Sequence, residues 1–165
     1  MMMQRIFWVI VVFLSVAPVS CGMGTAPRQQ IEEYIAEIED HFEKRRSAKL
    51  RRFISPDYRG EYTNTRKELL RIAAGYILRP PSIHIIWKIE SLSLEQDSAE
   101  ATIVVAVSPT PLTEDDIRLS QAEFHRLRLS LDKEEGWFGD DWLLQSLAWQ
   151  RVDLEEFMVG GVSKY

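Results

Sequence analysis

Apolar and polar residues change rhythm along this chain, and each change predicts a structural boundary. From Ile31 onward the positions Ile31, Tyr34, Ile35, Ile38 and Phe42 recur at steps of three and four. That spacing puts them in one stripe of an amphipathic helix. Glu32, Glu33, Glu37, Glu39 and Asp40 lie mostly off the stripe, and Lys44, Arg45 and Arg46 close it. Acid early and base late suits the helix dipole. A short second helix over 48–53 buries Leu50 and Phe53 and breaks at Ser55-Pro56-Asp57-Tyr58, because proline disfavours helical geometry in the residue before it. Gly60 marks a turn, and Thr65-Arg66-Lys67-Glu68 is a capping box opening a third helix. Leu69, Leu70, Ala73, Ala74 and Ile77 form its buried side, and Pro80-Pro81 ends it.

The period then falls to two. Ile83, Ile85, Trp87 and Ile89 alternate with His84, Lys88 and Glu90, as in a half-buried strand. The alternation changes face at Ser91, with Leu92 and Leu94 now apolar, which predicts a bulge. Gln96-Asp97-Ser98 turns the chain into a strand over 99–107 whose centre, Ile103 to Val107, is apolar on both faces. Pro109 and Pro111 open a loop to about Ser120 that carries Glu114, Asp115 and Asp116. A third strand is expected over 122–131, a turn over 132–136, and a fourth strand over 142–152. Leading helices and trailing strands predict an α+β fold, three helices on one face of an antiparallel sheet of about four strands.

The first 21 residues follow neither rhythm. Arg5 precedes a run, Ile6 to Val16, that is apolar except for Ser15, and Ala17-Pro18-Val19-Ser20 lead into Cys21 and Gly22. A basic region, an apolar run and small residues make the layout of a secretory signal. The run is about half of the roughly 20 residues needed to span a bilayer. Cys21, the sole cysteine, falls where a lipoprotein signal places its acylated residue. Val19-Ser20-Cys21 resembles the end of a bacterial lipobox, whereas Ser20-Cys21-Gly22 would also serve an ordinary signal peptidase cutting after Gly22. The lipobox resemblance implies a diacylglyceryl thioether on Cys21 and an acylated amino terminus. With Gly22 next rather than aspartate, it implies the outer membrane of a Gram-negative envelope, facing the periplasm. The expected organisation is a signal peptide over 1–20, a lipidated cysteine and short tether over 21–30, a domain over 31–152 and a C-terminal tail over 153–165. That tether reaches at most roughly 35 Å.

Composition narrows the chemistry. About 144 residues remain after the leader, enough for one domain with its own core. Without Arg5 they carry 19 Lys and Arg against 25 Asp and Glu, a net of −6, which gives no support for nucleic-acid binding. With Cys21 used as an anchor, neither a disulfide within the chain nor a cysteine-ligated metal can brace the fold. His41, His84 and His125 are scattered without metal-ligand spacing. There is no Gly-rich phosphate loop and no nucleophile elbow. No metal and no cofactor is expected.

The order of elements, with Phe53-Ile54-Ser55-Pro56-Asp57-Tyr58 after the second helix and a last strand reading Asp141-Trp142-Leu143-Leu144-Gln145-Ser146-Leu147-Ala148-Trp149-Gln150-Arg151, resembles the nuclear transport factor 2-like superfamily. The resemblance covers residues 31 to about 152. It implies a cystatin-like cone, in which helices close one side of a strongly bent sheet around a pocket. It also implies a wide choice of functions, from isomerases, dehydratases and polyketide cyclases to adaptors and non-catalytic envelope proteins.

For the isomerases of that superfamily, the resemblance makes Tyr34 the oxyanion donor. It places the base carboxylate, counted without gaps from Asp57, near Tyr62 with Glu61 beside it. The strand centre 103–107 offers no carboxylate to complete the donor pair. The leading expectation is therefore a membrane-anchored envelope protein that binds a partner protein or small apolar ligand without catalysis. Tyr34, Trp87, Phe124, Trp142 and Trp149 are its candidate pocket residues, within a wider set of aromatics that includes Trp137 and Phe138. An isomerase- or dehydratase-like enzyme using Glu61 and Tyr34 is the first alternative. A structural subunit of an envelope assembly, docking through its sheet or its 157–165 tail, is the second. The sheet face is also the expected homodimer surface. Lys44, Arg45, Arg46 and Lys49 are candidates for contact with anionic lipid headgroups.

Overall fold

Helix α1 runs over Pro27–Glu43 in the computed structural model, which describes residues 26–112, 121–136 and 139–159, with backbone alone at 135, 136, 139 and 140. It starts four residues before Ile31, so the segment read as a tether ends at Ala26. Proline suits a first helical turn, where its missing N–H has no intrahelical partner to lose. The stripe buries Ile31, Tyr34 and Ile35 as expected, and His41 joins them. After α1 the chain reverses at Arg45, which has a φ of 55°. A 3₁₀ segment over Ser47–Phe53 follows, burying Leu50 and Phe53.

Helix α2 covers Arg66–Leu78, and the Thr65 hydroxyl accepts from the Glu68 N–H. The Glu68 carboxylate reaches back to the Asn64 N–H at 2.8 Å, one residue earlier than a standard capping box. Leu69 and Ile77 are buried. Leu50, Ile77 and Ile83 form a small core with Leu70 and Ala73 against it, so α2 is seated on the 3₁₀ segment.

The sheet is antiparallel in the order β1-β2-β3-β4, with β1 over His84–Leu94, β2 over Ser98–Ser108, β3 over Glu123–Gly136 and β4 over Gly139–Val152. The face change expected at Ser91 is a bulge: Ile89 pairs with Ile103 and Ser91 with Thr102, leaving Glu90 as the extra residue. A second shift, between Ser130 and Leu131, leaves Gln145 extra on β4. Each bulge bends its strand and increases the local twist. The expected turn over 132–136 is instead ladder, since pairing continues to Gly136 opposite Gly139. Asp132 to Glu135 belong to the outer end of a long hairpin, and their polarity alone mimics a turn.

The main core lies between α1, the 3₁₀ segment and one sheet face. It includes Ile31, Tyr34, Phe53, Tyr58, Trp87, Ile103, Leu131 and Trp142. Residues 55–61 run along the outer edge of β4: the N–H groups of Ser55, Arg59 and Glu61 donate to the carbonyls of Leu144, Gln145 and Leu147. This strap satisfies part of an edge that would otherwise invite intermolecular pairing.

The opposite sheet face carries a second core of Val104, Ala106 and Phe157. Phe157 comes from helix α3, Leu154–Val159, within the segment read as a tail. It is 1% exposed, so it is unavailable for the docking role given to that tail. Helix α3 also covers part of the face expected to dimerise. It explains why the centre of β2 is apolar on both sides.

Candidate functional site

The concave face presents alternate residues of each strand. By register, His125, Leu127 and Leu129 of β3 stand opposite Arg151, Trp149 and Leu147 of β4. Leu129 is buried, whereas Leu127, Leu147 and Trp149 are half-buried and packed against the main core. Tyr62, at the end of the strap, lays its ring 4.9 Å from that of Trp149 and is 56% exposed. Tyr62, Trp149 and Leu127 therefore form an apolar rim, bordered by the imidazole of His125 and, opposite it, by exposed Arg151.

His125 is mostly enclosed, and its Nε2 is buried with no hydrogen-bond partner among the described residues. The nearest carboxylate oxygen, on Glu123, is 3.7 Å away. Burial lowers the imidazole pKa, and Glu123 works against that shift. A neutral ring with a bare nitrogen can accept or donate one hydrogen bond to a ligand. Sequence spacing marked His125 as a strand residue without telling which face it occupied; the pairing to Arg151 supplies that.

The pair Tyr34 and Glu61 is not brought together. Tyr34 is buried in the main core, and its hydroxyl donates to the Phe53 carbonyl at 2.8 Å. Burial pushes its pKa far up. Glu61 is half exposed and faces Arg128, with an oxygen 3.5 Å from the guanidinium. Arg128 follows Leu127 in β3, so it lies on the convex side. Tyr62 takes the concave position and Glu61 the opposite one, as neighbours in an extended segment must.

The five aromatic pocket candidates divide between the two faces. Tyr34, Trp87 and Trp142 are core residues, with Trp149 packed beside them. The Trp87 indole N–H donates to the Glu39 carboxylate and that of Trp142 to Gln30 Oε1, so both rings clamp α1 to the sheet. Phe124 lies on the convex face, 5.2 Å from the Phe157 ring. Trp137 and Phe138 lie outside the described residues.

An open groove of about 440 Å³ follows the outside of α1, lined by Glu33, Glu37, Asp40, His41 and Arg52. Its charges are largely matched, Arg52 to Glu37 at 2.6 Å and Lys44 to Asp40. Lys44, Arg45, Arg46 and Lys49 are all exposed. The Arg45 guanidinium also donates to the carbonyls of Pro80 and Pro81, each at 2.9 Å. Among the described residues no group of three His, Cys, Asp or Glu could hold a metal ion, and no helix is long and apolar enough to cross a membrane. Cys21 lies outside the described residues.

The chain matches no protein-family model and no curated protein. It is similar to a set of solved structures at low identity, of which three are given. One is an uncharacterised protein with a cystatin-like fold from Caulobacter vibrioides, at 13% identity and a TM-score of 0.55, covering 78% of this chain and 92% of that one. Another is a candidate scytalone dehydratase from Novosphingobium aromaticivorans, at 12% identity and a TM-score of 0.59, covering 76% and 84%. The third is a candidate dehydratase of the NTF2-like family from Streptomyces avermitilis, at 14% identity and a TM-score of 0.55, covering 76% and 95%. Together with the bulged four-stranded sheet closed by α1 and the 3₁₀ segment, these likenesses give the chain the NTF2-like, cystatin-like fold.

Proposed function

We propose that this chain is a lipid-anchored protein of the bacterial cell envelope whose cone binds a small apolar ligand or a partner's apolar side chains without catalysis. The supporting observation is the separation of Tyr34 from Glu61. The hydroxyl that would stabilise an oxyanion is tied to the Phe53 carbonyl, and the carboxylate that would act as base is at Arg128. A general base must stand within hydrogen-bond reach of the proton it takes. The concave rim, by contrast, offers Tyr62, Leu127 and Trp149, side chains suited to apolar contact. Cys21 provides the anchor.

Two measurements test the two halves of this reading. A fatty-acid analogue fed to cells labels the protein, and Cys21→Ala abolishes the label; equal label in both ends the anchoring half. Native mass spectrometry of the purified protein reports what it carries, and Trp149→Ala releases an apolar ligand held at the rim. Retention of the same adduct by Trp149→Ala overturns binding there.

A second reading, a dehydratase- or isomerase-like enzyme, is favoured by one observation: the buried His125 Nε2 beside the rim, which makes no hydrogen bond among the described residues. In that reading His125 moves the proton. Turnover of a cyclic hydroxyketone that His125→Ala abolishes, with the melting temperature kept, decides for the enzyme.

A further inference from the structure

Charge is distributed very unevenly along this chain. Residues 44–79 hold eleven Lys and Arg against three Asp and Glu, a net of +8, while the rest of the chain carries −13. The fold gathers that positive segment on one side. The 3₁₀ segment and α2 share a core through Leu50 and Ile77, and Arg45 fastens the turn after α1 to the Pro80-Pro81 end of α2. Arg46, Lys49, Arg51, Lys67, Arg71 and Arg79 are exposed and make no salt bridge among the described residues.

The outward side of α2 is apolar as well as basic. Its exposed residues include Ile72 at 37%, Tyr76 at 41% and Leu78 at 69%. At 3.6 residues per turn, Ile72 and Tyr76 stand one turn apart on one flank and Leu78 on the other, with Arg71 and Arg79 between them. The inner side is already seated, through Leu70, Ala73 and Ile77.

We infer that the outer face of α2 and the adjoining 3₁₀ segment form a docking surface for an anionic lipid bilayer. Three observations select a bilayer over an acidic protein. The positive charge is spread across two elements instead of being gathered in a cleft. The apolar residues are separate projections on a convex helix, which enter a headgroup layer one by one. The mix of basic, aliphatic and tyrosine side chains is that of an interfacial helix. The inference rests on the anchored reading for one point only, that a bilayer lies within reach. From Cys21 to Pro27 the chain spans at most roughly 22 Å. Helix α1 is about 25 Å long, and the basic segment begins at its far end. Anchor and basic segment are thus separated by at most about 47 Å, within reach of one membrane.

The test is hydrogen exchange on the full chain with phosphatidylcholine vesicles, prepared with and without phosphatidylglycerol. The leader can enter both, so the readout is the exchange of residues 44–52 and 66–79. Slowing is expected on the anionic vesicles and is reversed by salt. Each basic side chain near an anionic surface strengthens partition about fivefold, so Arg71→Glu with Arg79→Glu raises the vesicle concentration required by at least tenfold. Both are exposed, and an unchanged melting curve confirms that the variant folds. Equal exchange on both vesicles, protection confined to residues 1–26, or protection unaffected by the double variant overturns the inference. So does protection by soluble polyglutamate where vesicles give none, which assigns the face to an acidic protein. Failure of the anchored reading is read separately: Cys21→Ala then keeps its fatty-acid label while charge-dependent protection of α2 persists.

Discussion

A β-carbon at Gly60 would stand 2.0 Å from the hydroxyl oxygen of Tyr58 and 2.9 Å from the carbonyl oxygen of Leu147. Neither neighbour can yield. Tyr58 is fully buried and shares a 3.0 Å hydrogen bond with the Thr63 hydroxyl, while Leu147 is a β4 residue whose carbonyl receives the Glu61 N–H. The strap therefore reaches the edge of β4 by an approach that only glycine permits. Gly60→Ala is expected to cost about 1–3 kcal/mol, the range for forcing extra atoms into a packed site. Gly75 is the control, since a β-carbon there meets nothing within 4 Å and Gly75→Ala in mid-helix should add about 0.5–1 kcal/mol. Urea melts of both variants check this; a Gly60→Ala midpoint at or above that of the parent would refute the close approach.

Tyr34→Phe distinguishes a structural hydroxyl from a reactive one. Removing the donor leaves the Phe53 carbonyl without its 2.8 Å partner, which should lower stability by about 1–2 kcal/mol. The edge contact of the two rings, 5.6 Å between centroids, is kept. Ligand occupancy at the rim should not change. A variant with parental stability but altered binding would place the hydroxyl in the site.

Two histidines make stability fall as acid is added. His41 is buried with no hydrogen bond to either ring nitrogen among the described residues, and His125 has one such nitrogen. Burial lowers both pKa values from the ordinary 6.5. Arg52 and Arg46 reinforce this at His41 while Asp40 and Glu37 oppose it, and at His125 Arg151 reinforces what Glu123 opposes. The unfolded chain then binds protons that the folded one refuses. Their contribution is at its maximum above pH 6.5 and falls as pH drops below it. Asp40, held low chiefly by its hydrogen bond to Lys44, acts only below about pH 4, where free carboxylates protonate. Thermal melts between about pH 8 and pH 5 should show the decline, and His41→Gln should flatten it. A melting temperature constant over that range would contradict the assignment.

The parts of the fold legible in the sequence were those written in period. The stripe from Ile31, the capping box at Thr65 and the face change at Ser91 each state a local geometry directly. Boundaries set by polarity alone misled: Asp132 to Glu135 resemble a turn but continue a ladder, and Pro27 resembles a tether but opens a helix. The site was less legible because it depends on facing. Register, not composition, decides that Tyr62 lies at the rim with Trp149 while Glu61 faces Arg128, and that His125 shares the face of Leu127. Phe124, one residue from His125, turns to the convex side for the same reason.

That convex side carries the final prediction. The apolar run Ile103 to Val107 implies that something covers both faces of β2, and a six-residue helix is too short to announce itself by periodicity. Phe157 of α3 is 1% exposed and closes over Val104 and Ala106, which are 0% exposed. Lys88 lays its ammonium 4.9 Å from the centre of the Phe157 ring. The salt bridges from Arg126 to Glu90 and Glu156 tie the helix to β1 and β3 at the surface. Only the Arg126–Glu156 pair, at 3.3 Å with Glu156 about half exposed, reaches the helix; such a pair contributes at most about 1 kcal/mol, so the ring carries the contact. Phe157→Ala should cost about 3–5 kcal/mol, against less than about 1 kcal/mol for Glu156→Gln. Val104 and Ala106 would then meet water, and their amides would exchange faster only if α3 departs from the sheet. A Phe157→Ala protein with the parental melting temperature and unchanged exchange in β2 would mean that α3 is not what covers this face.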